Sequence, residues 1–360
     1  MDRKKSLFGS NDRTHRDDIL RRARGEVSGY TNDMADMKTE LEKDQEPETM
    51  SSAEVESIFQ KGLKYYNGDG VKENKYEAFQ LFKKAAENGH AEAQFAVATF
   101  YNWGEENVVE KDVNEEIKWL KLAADNGNAK AQCALGCHYR SGEGVNEDEQ
   151  LALRYLNMSA DNGCLDGMYE LAFSYFLDYL NEKTTRDNNN KCLSILKIAA
   201  QKGHCPSQGL LGEIYTNGWC NVKEDSREAF RWTKKAAENK RTHPESIRSI
   251  SMAFDWWKSH RDAMYDLGRY YYWGDDVEED YEEAFKWFKE AAFADHRKAQ
   301  GMLALCYYLG RGVSEDNEKT EIVLKMARDE ATDSDDIEFI NKIIEIINED
   351  GIIHIEPKQK

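Results

Sequence analysis

One phrase recurs seven times along this chain. A repeat of this length constrains the fold more than any other feature, because a unit too small to bury its own apolar face must bury it against a copy of itself. The copies read KGLKYYNGDGV, VATFYNWG, LGCHYRSGEGV, LAFSYFLD, LGEIYTNGW, LGRYYYWGDDV and LALCYYLGRGV. Each holds a fixed tyrosine (Tyr65, Tyr101, Tyr139, Tyr175, Tyr215, Tyr271 and Tyr307), at intervals of 36, 38, 36, 40, 56 and 36 residues. A second phrase, FKKAAENG in its first copy, follows each tyrosine. Both phrases have helical periodicity, so each unit reads as two short helices.

A small residue precedes each tyrosine by three positions, as at Gly62, Ala98 and Gly136. It lets a neighbouring helix come close, with the tyrosine ring expected to fill the gap beside it. Glycine three residues after the tyrosine stops the first helix, since glycine accepts the left-handed conformation beyond a helix end. Asp178 replaces it in the fourth unit, which makes that turn the irregular one. In the second phrase an alanine pair, as at Ala85-Ala86, again permits close packing before Asn-Gly ends the helix.

Composition narrows the function. The chain has 49 basic against 68 acidic residues, a formal net charge of −19, and only 4 prolines in 360 residues. So acidic a chain is repelled by phosphate backbones and anionic lipid, which argues against a nucleic-acid partner. No run reaches the roughly 18 to 20 apolar residues that cross a bilayer, so no membrane insertion is expected, and the charged N-terminus has no apolar segment behind it. Seven irregularly spaced cysteines fit reduced thiols and a cytoplasmic location.

Outside the repeats, residues 1–52 read as a poorly ordered charged tail, with 8 basic and 4 acidic side chains in the first 25. Repeats one to five span 53–240. An inserted helix is expected over 241–260, where Ile247, Ile250, Phe254 and Trp257 share a stripe and Trp256 is a candidate partner contact. Repeats six and seven span 261–331. A capping helix follows over 332–350, with Ile337, Ile340, Ile344 and Ile347 on one face.

The consensus A-x-x-x-L-G-x-x-Y-x-x-G-x-G-V, then A-x-x-W/Y-x-x-K-A-A-x-x-G, resembles the Sel-one-like repeat family, relatives of the tetratricopeptide repeat. The resemblance implies an all-α, right-handed solenoid of about seven two-helix repeats with a C-terminal cap. It also implies a non-catalytic adaptor binding a protein or peptide in its concave groove, without cofactor or metal. By alignment to the tetratricopeptide geometry, four first-helix positions face inward: six and two residues before the fixed tyrosine, and one and two after it. The candidate contacts are Phe59, Tyr66, Phe95, Trp103, Arg140, Tyr169, Phe173, Phe176, Arg269, Tyr272, Trp273 and Tyr308. Trp273, Tyr272 and Arg269 mark the expected partner half, because aromatics with arginine make recognition anchors. The competing reading makes the aromatic stripe core, packed between neighbouring first helices.

Two other functions stay open at this point, a secreted or host-directed interaction protein and a hydrolase using the groove. The thiols lack the regular eight-residue pairing of the family's exported, disulfide-stapled branch. G-x-S-x-G, G-x-x-x-x-G-K-S/T and H-E-x-x-H are all missing from the sequence. Cys133, Cys137 and His138 lie close together, but no second set of metal ligands accompanies them.

Overall fold

A computed structural model describes residues 50–183, 185–239, 250–349, 351 and 353–358, with side chains from 258 onward in the helix that begins at Ile250. The expected tail over 1–49, Ile247, and the side chains of Phe254, Trp256 and Trp257 lie outside the described residues. Among those described there are fifteen α-helices and no strand. The pairs are α1 (Ser52–Asn67) with α2 (Lys75–Glu87), α3 (Ala91–Trp103) with α4 (Val113–Asp125), and α5 (Ala129–Ser141) with α6 (Glu149–Asp161). Then come α7 (Leu165–Leu180) with α8 (Arg186–Gln201) and α9 (Cys205–Asn217) with α10 (Ser226–Ala237). The series ends with α11 (Ile250–Trp273) and α12 (Tyr281–Phe293), α13 (Arg297–Leu309) and α14 (Asn317–Glu330), and the single α15 (Ser334–Asn348). Each helix packs on the next in sequence, as stacked two-helix units require.

Local chemistry sets the helix ends. Second helices open on Asn74, Asp112, Asp148, Thr185, Asp225, Asp280 and Asp316, whose side chains accept hydrogen bonds from free first-turn N–H groups. In six of these units, the fourth apart, the backbone N–H of the same capping residue closes the inter-helix loop on the fixed tyrosine's carbonyl, as from Asp148 to Tyr139 at 2.8 Å and from Asp316 to Tyr307 at 2.9 Å. The fourth unit departs as expected. Asp178 does not stop α7, which runs on to Leu180.

Close approach is real, but the tyrosine does not fill the gap. A Cβ added to Gly136 would lie 2.6 Å from Leu156 Cγ, and one on Gly268 would lie 2.7 Å from a Phe288 ring carbon. The residue opposite the small position is thus a second-helix side chain. Tyr139 is only half-buried and stacks on Tyr155 at 5.7 Å between centroids.

A buried glutamine ladder joins the units. Gln94, Gln132 and Gln208 donate to the carbonyls of Ala86, Ala124 and Ala200, and their amide oxygens accept from Asn126, Asn162 and Asn239. The recurring A-x-A-Q or P-S-Q is its signature, unused in the sequence reading.

Two boundaries differ from expectation. The inserted helix and the first helix of the sixth unit form one 24-residue helix, α11, so there is no break at residue 260. Nothing in HRDAMYDLG could stop it, because the only glycine, Gly268, is the small packing residue of the next unit. At the C-terminus, α15 buries Ile337, Ile340, Ile343, Ile344 and Ile347 against α13 and α14. Ile353 and Ile355 beyond it are buried too, and no periodicity marked them. Asn348 holds that segment by exchanging two hydrogen bonds with the Ile355 backbone, and Asn341 does the same for Lys358. No helix among the described residues is long and apolar enough to cross a membrane.

Candidate functional site

The four positions expected to face inward fall on two helical stripes. The first is mostly buried, except where its Arg140, Tyr169, Gly209 and Thr216 meet a cavity, and the second is more open. Positions six before and one after the tyrosine differ by seven residues, or two turns, and share a face. That face turns inward, burying Phe59, Phe95, Phe176, Tyr272 and Tyr308 to 8% exposure or less. Phe59 stacks on His90 at 4.4 Å, and Tyr66, half-buried, packs on Phe82 and Phe100. Tyr272 is held by Arg311, whose Nη1 donates to its hydroxyl at 2.7 Å. These side chains are core, so the assignment of the buried ones as exposed anchors is corrected. Positions two before and two after the tyrosine form the other stripe. It exposes Arg269, Trp103 and Trp273 and leaves Phe173 half-buried.

A concave cavity of about 1060 Å³ is walled by α5, α7, α9 and α11, with Ser226 and Thr233 of α10 and the turns nearby. Of the candidates it takes in Arg140, Tyr169, Phe173, Phe176 and Arg269, but not Phe59, Tyr66, Phe95, Trp103, Tyr272, Trp273 or Tyr308. Its aromatic part is Tyr169, Phe173, Phe176, Trp219 and Tyr270. Tyr169 and Phe173 stack at 5.8 Å, and Phe176 meets Trp219 at 5.3 Å.

The charge of this wall was not read from the sequence. It has six carboxylates, Glu170, Glu213, Asp262, Asp266, Asp275 and Asp276, against Arg140, Lys258 and Arg269. Two of the cations are already engaged. Arg140 pairs with Glu170 at 2.5 Å, and Arg269 sits 3.3 Å from Asp266 and over the Trp273 ring. The expected positive spot is therefore neutralised in place, and the cavity is acidic. Two of the six carboxylates, Asp262 and Asp266, belong to a row on α11 with Lys258 and Tyr270, spaced four residues apart and therefore on one face. That spacing is visible in KSHRDAMYDLGRY, but Asp262 and Asp266 stand nine and five residues before Tyr271, outside the four positions expected to face inward.

Confinement raises these acids. Glu213 reaches solvent through the cavity with protein on most sides, and this burial, with Asp266 and Asp262 nearby, pushes its carboxyl up to about 7. Burial likewise pushes Asp266 up to about 6 despite Arg269, and raises Asp262. A wall of crowded carboxylates beside aromatic faces favours a ligand that brings positive charge on an apolar stem. Among the described residues, no group of three His, Cys, Asp or Glu side chains could hold a metal ion.

Stacked two-helix units of this kind define an α-solenoid. A model of the Sel1 repeat matches residues 58–90, 91–128, 129–164, 165–204, 206–240, 261–296 and 297–320. The chain belongs to the Sel1 repeat family, whose solenoids are in general protein-interaction scaffolds and typically non-catalytic. Among solved structures it is similar to a Sel1 repeat protein from Oxalobacter formigenes, at 25% identity and TM-score 0.58, over 80% of this chain and 76% of that one. It is also similar to c5321, a protective antigen of uropathogenic Escherichia coli with an SLR fold (19% identity, TM-score 0.32, 85% and 88% covered). A third is the immunity protein Pa5087 of Pseudomonas aeruginosa (18% identity, TM-score 0.37, 62% and 86% covered). Comparison with curated proteins gave no match.

Proposed function

We propose that this protein is a non-catalytic adaptor that holds a basic, extended peptide segment of a protein partner in the cavity formed by α5, α7, α9 and α11. The observation that carries this reading is the α11 row of Asp262 and Asp266, joined by Glu213, in a cavity that also presents Tyr169, Phe173 and Trp219. Lysine or arginine stems lie along the rings, and their charged ends meet the carboxylates. The exposed Trp103 and Trp273 extend the open stripe along the same face of their helices.

The test is fluorescence titration with a peptide alternating lysine and leucine, against one with glutamate in place of lysine. The lysine peptide is expected to bind at least tenfold more tightly. Its affinity should rise between pH 5.5 and 8, as Asp266 and then Glu213 lose their protons. The double variant Glu213→Gln with Asp266→Asn should flatten that pH dependence and weaken binding by about 2 kcal/mol. Equal affinity for the two peptides would overturn the reading.

A further inference from the structure

Two cysteines stand where the repeat elsewhere has different residues. Seven positions before the first residue of the second-helix small pair, or of its counterpart, stand Ala78, Glu116, Ala152, Ala229, Ala284 and Thr320, and the fourth unit has Cys192 there. Two positions beyond the turn glycine are Gly70, Gly144 and Gly312, with φ of 71°, 72° and 72°. The second unit has Glu106 at that place, the sixth Asp276 at φ 57°, and the fifth Cys220 at φ 55°. A residue with a Cβ is strained in that conformation, and glycine is not.

The two cysteines meet. In other units this turn lies against the second helix of the preceding unit: a Cβ on Gly144 would fall 2.5 Å from Val113 Cγ2 on α4. The same register brings Cys220 to α8. Both thiols are buried, at 0% and 2% exposure, in one core cluster with Leu196 and Ile214. Each thiol acts on the other's titration, which raises Cys192 and lowers Cys220 and so favours the thiolate at Cys220. Trp219, the neighbour of Cys220, lines the cavity and packs on Phe176.

We propose that Cys192 and Cys220 are a dithiol oxidised by peroxide to a disulfide that ties α8 to the turn after α9 and fixes the Trp219 wall of the cavity. The Cys220 thiolate attacks one peroxide oxygen, the O–O bond breaks, and the sulfur becomes a sulfenic acid as the first water leaves. The Cys192 sulfur then attacks the sulfenic sulfur, the S–O bond breaks, and the second water leaves with the remaining thiol proton. Two thiols are thereby oxidised, and one peroxide is reduced to two waters. Control of the cavity rests on the function proposed above; the dithiol does not.

The experiment treats the reduced full chain with hydrogen peroxide, alkylates the remaining thiols and maps peptides by mass without reduction. A crosslinked pair containing Cys192 and Cys220 is expected. None should form in Cys192→Ala or Cys220→Gly, which restore residues carried by other units and should keep parental helicity. The oxidised parent should melt about 3 °C or more above the reduced one, because the crosslink closes a long loop in the unfolded chain. Both thiols recovered alkylated, with Cys137 or Cys164 oxidised instead, would overturn the dithiol. Titration with the lysine-leucine peptide reads the second part. At least a threefold change in affinity on oxidation supports control of the cavity, whereas crosslinking with unchanged affinity overturns it. Failure of the peptide to bind in either state defeats the groove reading and leaves the mass measurement intact.

Discussion

At Gly136 a hydrogen atom in place of a methyl group sets how closely α5 and α6 approach. Leu156 is fully buried against it, and a Cβ there would overlap the leucine side chain. Gly136→Val should therefore destabilise the chain by about 2 to 3 kcal/mol through overpacking, measurable as a fall in melting midpoint. A midpoint equal to the parent's would mean that α6 slides aside freely. His296 makes a different residue-scale point. Its Nδ1 caps α13 by accepting from the Ala299 N–H at 3.2 Å, and its ring stacks on Tyr265. Burial, with Arg261 and Lys298 near, pushes its pKa down to about 3, and Asp262 at 3.5 Å does not offset this. The unfolded chain takes up a proton near pH 6.5 that the folded chain refuses until about 3. Stability from this group is thus present above pH 6.5 and lost as pH falls toward 3. His296→Asn puts there the capping residue that Asn128 supplies to α5. It should give a shallower loss in denaturant titrations between pH 6.5 and 4, and parallel slopes would remove the role assigned to this imidazole.

At the scale of elements, helix boundaries were legible wherever a turn glycine and a capping Asp or Asn both recur, because each is a local device that works without tertiary help. The inward positions were legible by halves. The alignment named four, but two lie two turns apart on the face that the neighbouring helix covers, which is why Phe95 and Tyr272 became core while Arg269 and Trp273 stayed open. Asp262 and Asp266 were missed because they stand nine and five residues before Tyr271, and repeat comparison gives no reason to look outside the four aligned positions. Ile353 and Ile355 were missed for another reason. They lie in an extended segment whose placement depends on two asparagines seven residues apart on α15. Asn348→Ala deletes both hydrogen bonds to Ile355 and strands partly buried backbone groups. It should cost about 1 to 3 kcal/mol and speed amide exchange in α15. Exchange unchanged from the parent would mean that the segment contributes nothing to the cap.

For the array as a whole, stability is held between neighbours. The buried residues of the last units, from Tyr265 and Phe288 to Ile347, form one cluster, while Leu196, Ile214 and Trp232 belong to another and Leu156 with Leu171 to a third. The cavity lies where α5, α7, α9 and α11 come together, so its walls span several of these units. Such an arrangement transmits damage only as far as nearest-neighbour coupling carries it. Phe288 is fully buried in the C-terminal cluster, opposite Gly268. Phe288→Ala should cost about 3 to 5 kcal/mol, and its effect should be graded along the chain. Amide exchange should accelerate most in α11 to α14, less in α9 and α10, and not measurably in α1 to α4. A uniform acceleration across all of these helices would mean that the chain unfolds as one cooperative block, and that the clusters seen in the folded state do not act as separate units of stability.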